Sequence, residues 1–267
     1  LENPKLWIKM LSDYKLTLTV GPGSAFDACT RIFTEEEAAQ YDLSNTTHLM
    51  NGSEFVSPET IARFSRMFHA PYLASAPGYG LGECVCLASV ASQDYKVLRV
   101  DLEQDQDNRI VLSDAKDAKE IVSLGKPVKD LTIVAANPKT KKAYGELRIG
   151  EICIQGPTVA DGYWGNIPDN KNFHFRLQNK DGDFYRTGDL GFLYEGNVYI
   201  TGRLKEMFIV NGHNVYLNDI LLCLQQKVPS LTGAAIVCFT VEQGTKEQVI
   251  ACVEASADFP FTKAASR

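Results

Sequence analysis

The sequence has no excess of basic side chains and no long apolar run. Its 267 residues include 27 Lys and Arg against 33 Asp and Glu, for a formal net charge of -6. This balance argues against a nucleic-acid partner, because phosphate binding requires clustered positive charge. No apolar stretch approaches the roughly 20 residues of a membrane span, and none has the pattern of a signal peptide. We therefore expect a cytoplasmic protein without a membrane span.

Metal-binding and disulfide patterns are also missing. The seven cysteines are odd in number and include no CxxC motif, and the four histidines stand far apart. We expect buried, reduced thiols rather than a zinc site or a secreted disulfide framework. The cysteines are Cys29, Cys84, Cys86, Cys153, Cys223, Cys238 and Cys252.

Two common nucleotide-binding signatures are absent. Neither GxGxxG nor GxxxxGK followed by Ser or Thr occurs, so neither a dinucleotide fold nor a P-loop NTPase is supported. The composition itself is ordinary for a globular protein, with 45% hydrophobic and 22% charged residues. A chain of this length can bury a substantial core without disulfides or metal.

Periodicity predicts an α/β layer followed by a β-rich region. Residues 4–14 and 57–68 have helical spacing of apolar side chains, and residues 16–20 form a short β-branched run between them. From about residue 125 the pattern changes to short strands separated by Gly, Asn and Asp turns, which indicates a mostly antiparallel β-subdomain. These strands are expected at residues 131–135, 150–155, 183–187, 197–201 and 207–210. A further helix capped by Asn218 and Asp219 and two last strands are expected near the end of the sequence.

Three short stretches are candidates for chemistry, and each also has an ordinary structural explanation. Residues 77–83 place a tyrosine, which offers a flat face to a base, among glycines that allow close backbone approach, although such stretches are more often structural loops. Asp189 follows a strand and is flanked by glycines, where it either accepts hydrogen bonds from ribose hydroxyls or forms an Asx turn. Arg203 and Lys205 are either phosphate or ribose ligands or the solvated cations of a linker.

The order of these stretches resembles the adenylate-forming superfamily, which contains acyl-CoA synthetases, peptide-synthetase adenylation domains and luciferases. The resemblance rests on four ordered motifs, at residues 79–83, 150–164, 185–190 and 202–205. The phrase from Gly202 to Tyr216 is most similar to the fatty acyl-AMP ligase branch. Similar phrases for that branch occur at residues 21–29, 51–54 and 95–101.

The resemblance implies a fold and a domain organisation. We expect residues 1–201 to be the C-terminal portion of a large α/β AMP-binding domain, with its β-subdomain at about 125–201. Residues 202–267 are then the hinge and the first part of a small α+β C-terminal domain. Residues from about 94 to 121 correspond to the insertion that distinguishes this branch, which is thought to restrain domain motion and limit the use of coenzyme A.

The resemblance also implies a reaction and its participants. ATP and a fatty acid form an acyl-adenylate and pyrophosphate with the help of Mg²⁺, and the acyl group passes to the thiol of an acyl carrier protein, in cis or in trans. The family's phosphate loop would lie before Leu1 and its late C-terminal lysine beyond Arg267. We therefore expect the isolated chain to be a fragment with little or no adenylation activity.

Matching positions to the family's motifs implies roles for individual residues. Tyr79 is expected to stack on adenine, Glu83 to hold Mg²⁺, and Asp189 to bind the ribose hydroxyls. Arg203 is expected to reach ribose or phosphate, and Lys205 to act at the hinge. The other implied nucleotide-binding residues are Gly52, Ser53, Gly80 and Leu81, and the implied acyl-pocket residues are Pro22 and Phe26.

Some positions depart from the family's pattern, and other assignments stay open. Gly82 replaces the usual alanine or threonine, His213 a frequent arginine, Leu217 the usual proline and Leu221 the usual glutamate. The changes at His213 and Leu217 put the transfer step in question more than adenylation. The alternatives are an acyl-CoA synthetase, a peptide-synthetase adenylation domain, and a catalytically silent module of the same fold.

Overall fold

The computed structural model describes residues 3–54, 56–70, 75–91, 95–101, 108–116, 118–165, 167–210, 213–231, 234–243 and 246–254. The chain divides into two compact units, residues 1–201 and residues 202–267. The assignment of the first to the large AMP-binding domain and of the second to its small C-terminal domain stays a prediction.

The helices of the first unit precede most of its strands. They are α1 (Pro4–Asp13), α2 (Gly23–Ile32), α3 (Glu35–Ala38) and α4 (Pro58–Met67). The strands are β1 (Leu18–Gly21), β2 (His48–Asn51), β3 (Ser75–Tyr79), β4 (Ser89–Val90), β5 (Val97–Asp101), β6 (Val111–Leu112), β7 (Lys119–Val122), β8 (Lys126–Pro127), β9 (Thr132–Asn137), β10 (Lys142–Ala143), β11 (Gly150–Gln155), β12 (Phe175–Arg176), β13 (Asp183–Tyr194) and β14 (Asn197–Arg203).

Local sequence explains where the predicted helices begin. The side chain of Asn3 caps α1 by accepting a hydrogen bond from the Leu6 N–H at 3.0 Å, and Pro4 supplies the fixed φ of a first helical residue. Ser57 caps α4 in the same way. Helix α2 was not predicted, and it contributes Phe26 to an aromatic cluster with α4.

A five-stranded sheet lies beside these helices in the order β1-β2-β3-β4-β8. The pairs β1–β2 and β2–β3 are parallel, whereas β4 pairs antiparallel with β3 and with β8. The helices cover one side of the parallel strands with a core that includes Ile8, Leu49, Phe64 and Phe68. Burial of such side chains contributes about 1.5–3 kcal/mol each.

The β-subdomain is a six-stranded sheet in the order β10-β9-β11-β13-β12, with β14 paired to β13. The pairs β9–β11 and β11–β13 are antiparallel, and Ile152, Cys153 and Ile154 at its centre are fully buried. Strand β13 continues to Tyr194, beyond the end expected at residue 187. The predicted α/β class with a mostly antiparallel β-subdomain is confirmed.

A separate three-stranded sheet, β6-β5-β7, occupies the region of the expected insertion. Backbone hydrogen bonds join its flanks to the β-subdomain, from Ile110 N to Leu147 O at 3.0 Å and from Ile149 N to Asn108 O at 3.0 Å. Residues 94, 102–107 and 117 of this region lie outside the described part of the chain. Its effect on domain motion stays a prediction.

The second unit contains a helix and two hairpins. Its elements are β15 (Met207–Val210), β16 (His213–Tyr216), α5 (Leu217–Lys227), β17 (Ile236–Gln243) and β18 (Lys246–Val253). The prediction that Asn218 and Asp219 cap the helix is wrong, because α5 already begins at Leu217 with Tyr216 as its N-cap. Asp219 instead lies in the first turn, where its negative charge interacts favourably with the positive end of the helix dipole.

The cysteine prediction holds only in part. All seven thiols are free, and Cys29, Cys84 and Cys153 are buried as expected. The remaining four are at least partly accessible, and they are Cys86, Cys223, Cys238 and Cys252. In the part of the chain that is described, no helix is both long and apolar enough to cross a membrane.

Candidate functional site

The site begins where three parallel strands end. In the sheet register Gly21 of β1 is opposite Asn51 of β2, and Asn51 is opposite Pro77 of β3. The Gly52 N–H extends this alignment by donating to the Gly21 carbonyl at 3.4 Å. Crevices at the carboxyl ends of parallel strands are the usual ligand sites of α/β sheets.

Four predicted nucleotide-binding residues lie at this edge. A side chain at Gly52 would place its Cβ 2.8 Å from the Gly78 carbonyl oxygen, so only glycine lets the two strand ends approach this closely. Ser53 follows with a φ of 68° and is exposed. Gly80 and Leu81 directly follow the end of β3 at Tyr79. All four residues therefore follow the carboxyl ends of neighbouring parallel strands, and the direct contact between the two segments is that of Gly52 with Gly78.

Asp189 is presented by a bulge in the β-subdomain. Between two paired positions β11 has one residue, Ile152, whereas β13 has three, residues 187–189. Gly188 supplies the positive φ of 76° that this bulge requires. The Thr187 hydroxyl fixes the bulge by donating to the Ile152 carbonyl at 2.8 Å and accepting from the Asp189 N–H at 3.0 Å.

Tyr79 and Asp189 meet although 110 residues separate them. The Tyr79 hydroxyl donates to Oδ2 of Asp189 at 2.6 Å, so this phenol orients the carboxylate that was predicted to bind ribose. Burial, followed by the charge of Asp189, raises the pKa of Tyr79 well above its ordinary value, which keeps the phenol a donor. The Tyr79 ring is 8% exposed and offers little surface to a base; its stacking on adenine stays a prediction.

Glu83 lies in a short helical turn after the glycine-rich loop and is bound by a second tyrosine. The Tyr163 hydroxyl donates to Oε1 of Glu83, and the Ala160 N–H donates to the Glu83 carbonyl at 2.8 Å. Partial burial opposes ionisation of Glu83, but hydrogen bonds from Tyr163, from its own backbone amide and from Tyr185 outweigh it and lower its pKa. Trp164, next to Tyr163, is 98% exposed.

The donor set around Glu83 fits an Mg²⁺ ion that is held mainly by a substrate. Among the described residues no group of three or more His, Cys, Asp or Glu side chains could enclose a metal. Mg²⁺ commonly binds one or two carboxylates and completes its shell with water and phosphate oxygens. A single ionised, partly exposed carboxylate at the strand edge satisfies that requirement.

Arg203 and Lys205 fall within residues 202–267, and Arg203 is the last residue of β14, which begins in the first unit. Arg203 is exposed and lies 3.8 Å from the Glu206 carboxylate. Lys205 is exposed in a short 3-10 helix, Leu204–Glu206, directly after β14. Both side chains therefore contact solvent. The role of Arg203 as a ribose or phosphate ligand and the role of Lys205 at the hinge stay predictions.

The two residues predicted to line an acyl pocket have different surroundings. Pro22 is the N-cap residue of α2 at the carboxyl end of β1. Phe26 is 3% exposed, with its ring packed edge-on against Trp7 and Phe64. In this structure Phe26 is part of the helical core rather than the wall of an open pocket, and the acyl-binding role of both residues stays a prediction.

Three contributing residues were not identified from the sequence. Tyr163 and Thr187 lie inside motifs already quoted from the sequence, so both could have been named as candidates. Their hydrogen-bond partners could not have been identified from the sequence. Glu54 accepts hydrogen bonds from both the N–H and the hydroxyl of Ser24, at 2.8 and 2.9 Å, and so ties the first turn of α2 to the Gly52 segment. No local pattern indicated that contact.

Comparisons with a family model and with individual relatives point to the same family. A model described as AMP-binding enzyme matches residues 1–164. A medium-chain-fatty-acid–acyl-carrier-protein ligase of Moorena producens is 34% identical over 97% of this chain and 46% of its own length. A long-chain-fatty-acid–AMP ligase of Mycolicibacterium smegmatis is 33% identical over 89% of this chain and 42% of its own length.

A solved structure shows the same relationship. The fatty acyl-adenylate ligase of Legionella pneumophila, in complex with acyl adenylate and pyrophosphate, superposes with a TM-score of 0.74 at 30% identity. The match covers 97% of this chain and 46% of that structure, so the chain spans about half the length of its relatives. The predicted resemblance to fatty acyl-AMP ligases is confirmed. The match of the family model to more than half of the sequence shows that this chain belongs to the AMP-binding enzyme family.

Proposed function

We propose that the full-length protein is an ATP-dependent ligase that joins a fatty acid to AMP. The observation that carries the proposal is the hydrogen bond from Tyr79, at the end of parallel strand β3, to the Asp189 carboxylate, with the Glu83 carboxylate four residues after Tyr79, in a member of the AMP-binding family. Each carboxylate is oriented by a tyrosine hydroxyl. Side chains that are already oriented before the substrate binds suit a reaction whose rate depends mainly on holding the reactants in the correct geometry.

Asp189 suits the sugar of the nucleotide. Its carboxylate lies on a bulge fixed by Thr187 and accepts a hydrogen bond from Tyr79, and a carboxylate is the group that accepts hydrogen bonds from both hydroxyls of a ribose. Gly52 and Ser53, which follow the end of β2, present backbone groups without a large side chain. Together these groups would hold the adenosine part of ATP.

Glu83 would hold Mg²⁺, which would supply neutralisation of phosphate charge. The carboxylate is kept ionised by its hydrogen bonds, which is the state that a cation requires. The reaction then consists of attack by the fatty acid carboxylate oxygen on the α-phosphorus and loss of pyrophosphate. Protein groups assist it by orientation and by electrostatic stabilisation.

The acyl acceptor is proposed to be the thiol of an acyl carrier protein, in cis or in trans. Support comes from the Moorena relative, whose name specifies an acyl-carrier-protein ligase. In that step the thiol sulfur attacks the acyl carbonyl, AMP leaves with the bonding electrons, and the thiol proton passes to solvent. Arg203 and Lys205, in the exposed segment that opens the second unit, are the residues we assign to ribose or phosphate contact and to the hinge.

The proposal is tested on the full-length protein with ATP, Mg²⁺, dodecanoic acid and coenzyme A, with products identified by mass spectrometry. We expect acyl-AMP and pyrophosphate without accumulation of acyl-CoA. Asp189→Asn should weaken nucleotide binding about tenfold or more, because it removes charge-assisted hydrogen bonds. Accumulation of acyl-CoA would instead indicate an acyl-CoA synthetase, and no product with any acid would indicate a catalytically silent member of the family.

A further inference from the structure

The segment that precedes the 3-10 helix Pro168–His174 reaches across the β-subdomain to Glu83. Tyr163 is 80 residues from Glu83 in sequence, yet its hydroxyl donates to the carboxylate oxygen Oε1. A second contact uses the backbone, because the Ala160 N–H donates to the Glu83 carbonyl at 2.8 Å. Both the side chain and the backbone of Glu83 are therefore attached to the same segment.

The Tyr163 ring is held by an aromatic stack. It meets the edge of Phe173 with centroids 5.1 Å apart, and Phe173 packs on Tyr185 at 4.5 Å. Phe173 and Tyr185 are 4% and 5% exposed, so they form a fixed base for the partly exposed Tyr163. Aromatic pairs at these distances favour a defined relative orientation.

The backbone of Tyr163 is fixed independently by Asn170. The Asn170 Oδ1 accepts the Tyr163 N–H at 2.7 Å, and its Nδ2 donates to the Tyr163 carbonyl at 3.1 Å and to the Gly165 carbonyl at 3.2 Å. One amide side chain thus closes the turn that carries the phenol. Tyr163 itself is 38% exposed, so its hydroxyl can be removed while the buried rings of Phe173 and Tyr185 stay in place.

From this arrangement we infer that Tyr163 is a positioning residue that holds the Glu83 carboxylate in the orientation that receives Mg²⁺. The inference rests on the proposed function and deepens it. A glutamate in a glycine-rich turn has several accessible rotamers, and fixing one of them before binding removes that entropic cost. The hydrogen bond to Oε1 fixes the rotamer of Glu83 and leaves the carboxylate able to hold a cation.

The test compares two Tyr→Phe variants of the full-length protein. Tyr163→Phe keeps the ring in its stack and removes only the hydroxyl. Tyr144→Phe is the matched control, because the Tyr144 hydroxyl accepts a hydrogen bond from Asn137 at 2.7 Å in the same unit, without contact to Glu83. Calorimetry measures the Mg²⁺ affinity of the complex with a non-hydrolysable ATP analogue, α,β-methylene-ATP, and the affinity for a metal-independent acyl-sulfamoyl-adenosine.

For Tyr163→Phe we expect the apparent Kd for Mg²⁺ to rise about tenfold, since a hydrogen bond to a charged group is lost. The affinity for acyl-sulfamoyl-adenosine and the midpoint of thermal unfolding should match those of Tyr144→Phe. Activity lost at limiting Mg²⁺ should return when Mg²⁺ is raised, which a purely structural role would not produce.

Two results would overturn the inference, and they differ from failure of the proposed function. An unchanged Kd for Mg²⁺ in Tyr163→Phe, with normal nucleotide binding, would show that the phenol does not position Glu83. Equal weakening of Mg²⁺ and acyl-sulfamoyl-adenosine binding would show that Tyr163 only supports the fold. If the wild-type protein bound neither the ATP analogue nor the adenylate analogue, the proposed function itself would be wrong, whereas an intact Mg²⁺ affinity in Glu83→Gln would refute only the role of Glu83 as the cation ligand.

Discussion

The bulge that presents Asp189 depends on the hydroxyl of Thr187, and its removal has a calculable cost. Thr187→Val keeps the shape of the side chain but deletes the bonds to the Ile152 carbonyl at 2.8 Å and the Asp189 N–H at 3.0 Å. At 0.5–1.5 kcal/mol each, the loss is about 1–3 kcal/mol of unfolding free energy. At about 2–4 °C per kcal/mol for a domain of this size, that corresponds to roughly 2–12 °C in the unfolding midpoint.

The same substitution should weaken nucleotide binding, because Asp189 loses the bond that fixes its backbone. We expect about a tenfold rise in the Kd of a non-hydrolysable ATP analogue, measured by calorimetry on the full-length protein. Thr201→Val is the matched control: its hydroxyl donates to the neighbouring Leu190 carbonyl at 3.2 Å but does not support the bulge. It should cost about 1 kcal/mol and leave nucleotide affinity unchanged.

Two results would refute this reasoning. If Thr187→Val bound the nucleotide analogue as tightly as Thr201→Val did, the hydroxyl would not be needed to present Asp189. If both variants weakened nucleotide binding equally, a general loosening of β13 and β14 would explain the effect better than the bulge.

Other predictions concern the buried charges and thiols. Arg186 donates two hydrogen bonds to Glu151, which is 2% exposed. Arg186→Met should therefore lower the unfolding free energy measured in urea by about 3–5 kcal/mol, and adding Glu151→Leu should recover most of that loss. Equal stability of the single and double variants would contradict this. Burial raises the pKa of Cys29 from 9.0 to about 12. The unfolded thiol therefore ionises first, so stability should fall as pH rises from about 9 towards 12, with a smaller slope in Cys29→Ala; an unchanged slope would refute the assignment. Exposed Cys86 should react with a thiol reagent in the native protein while buried Cys153 does not, and comparable rates would show that the core opens readily.

The sequence predicted local elements well where side-chain pattern and caps act together. Residues 150–155 and 207–210 are strands with the predicted bounds, and the Ser57 cap marks the start of α4. Helix α2 was missed because it begins at Pro22 and Gly23, a pair that also indicates a turn. The start of α5 was misplaced because Tyr216, which has no capping side chain, occupies the N-cap position.

The candidate site was only half visible in the sequence. Motifs indicated Tyr79, Glu83 and Asp189 as single residues, because residue type and local spacing are properties of a short segment. The bond from Tyr79 to Asp189 and the bond from Tyr163 to Glu83 span 110 and 80 residues. Such pairings follow from the order of the strands in the sheets and from the bulge in β13. Neither the strand order nor the bulge produces a periodic pattern in the sequence.

The exposure of Trp164 gives the Tyr163 segment its own optical signal. The chain contains two tryptophans, and the other, Trp7, is fixed by a hydrogen bond from its Nε1 to Thr19 at 3.0 Å. A water-exposed indole emits at longer wavelength and is quenched by acrylamide, whereas a packed one is shielded. The part of the full-length protein's fluorescence that is lost in Trp164→Phe therefore follows the residue next to Tyr163 without a label, and would record whether nucleotide and cation order that part of the chain.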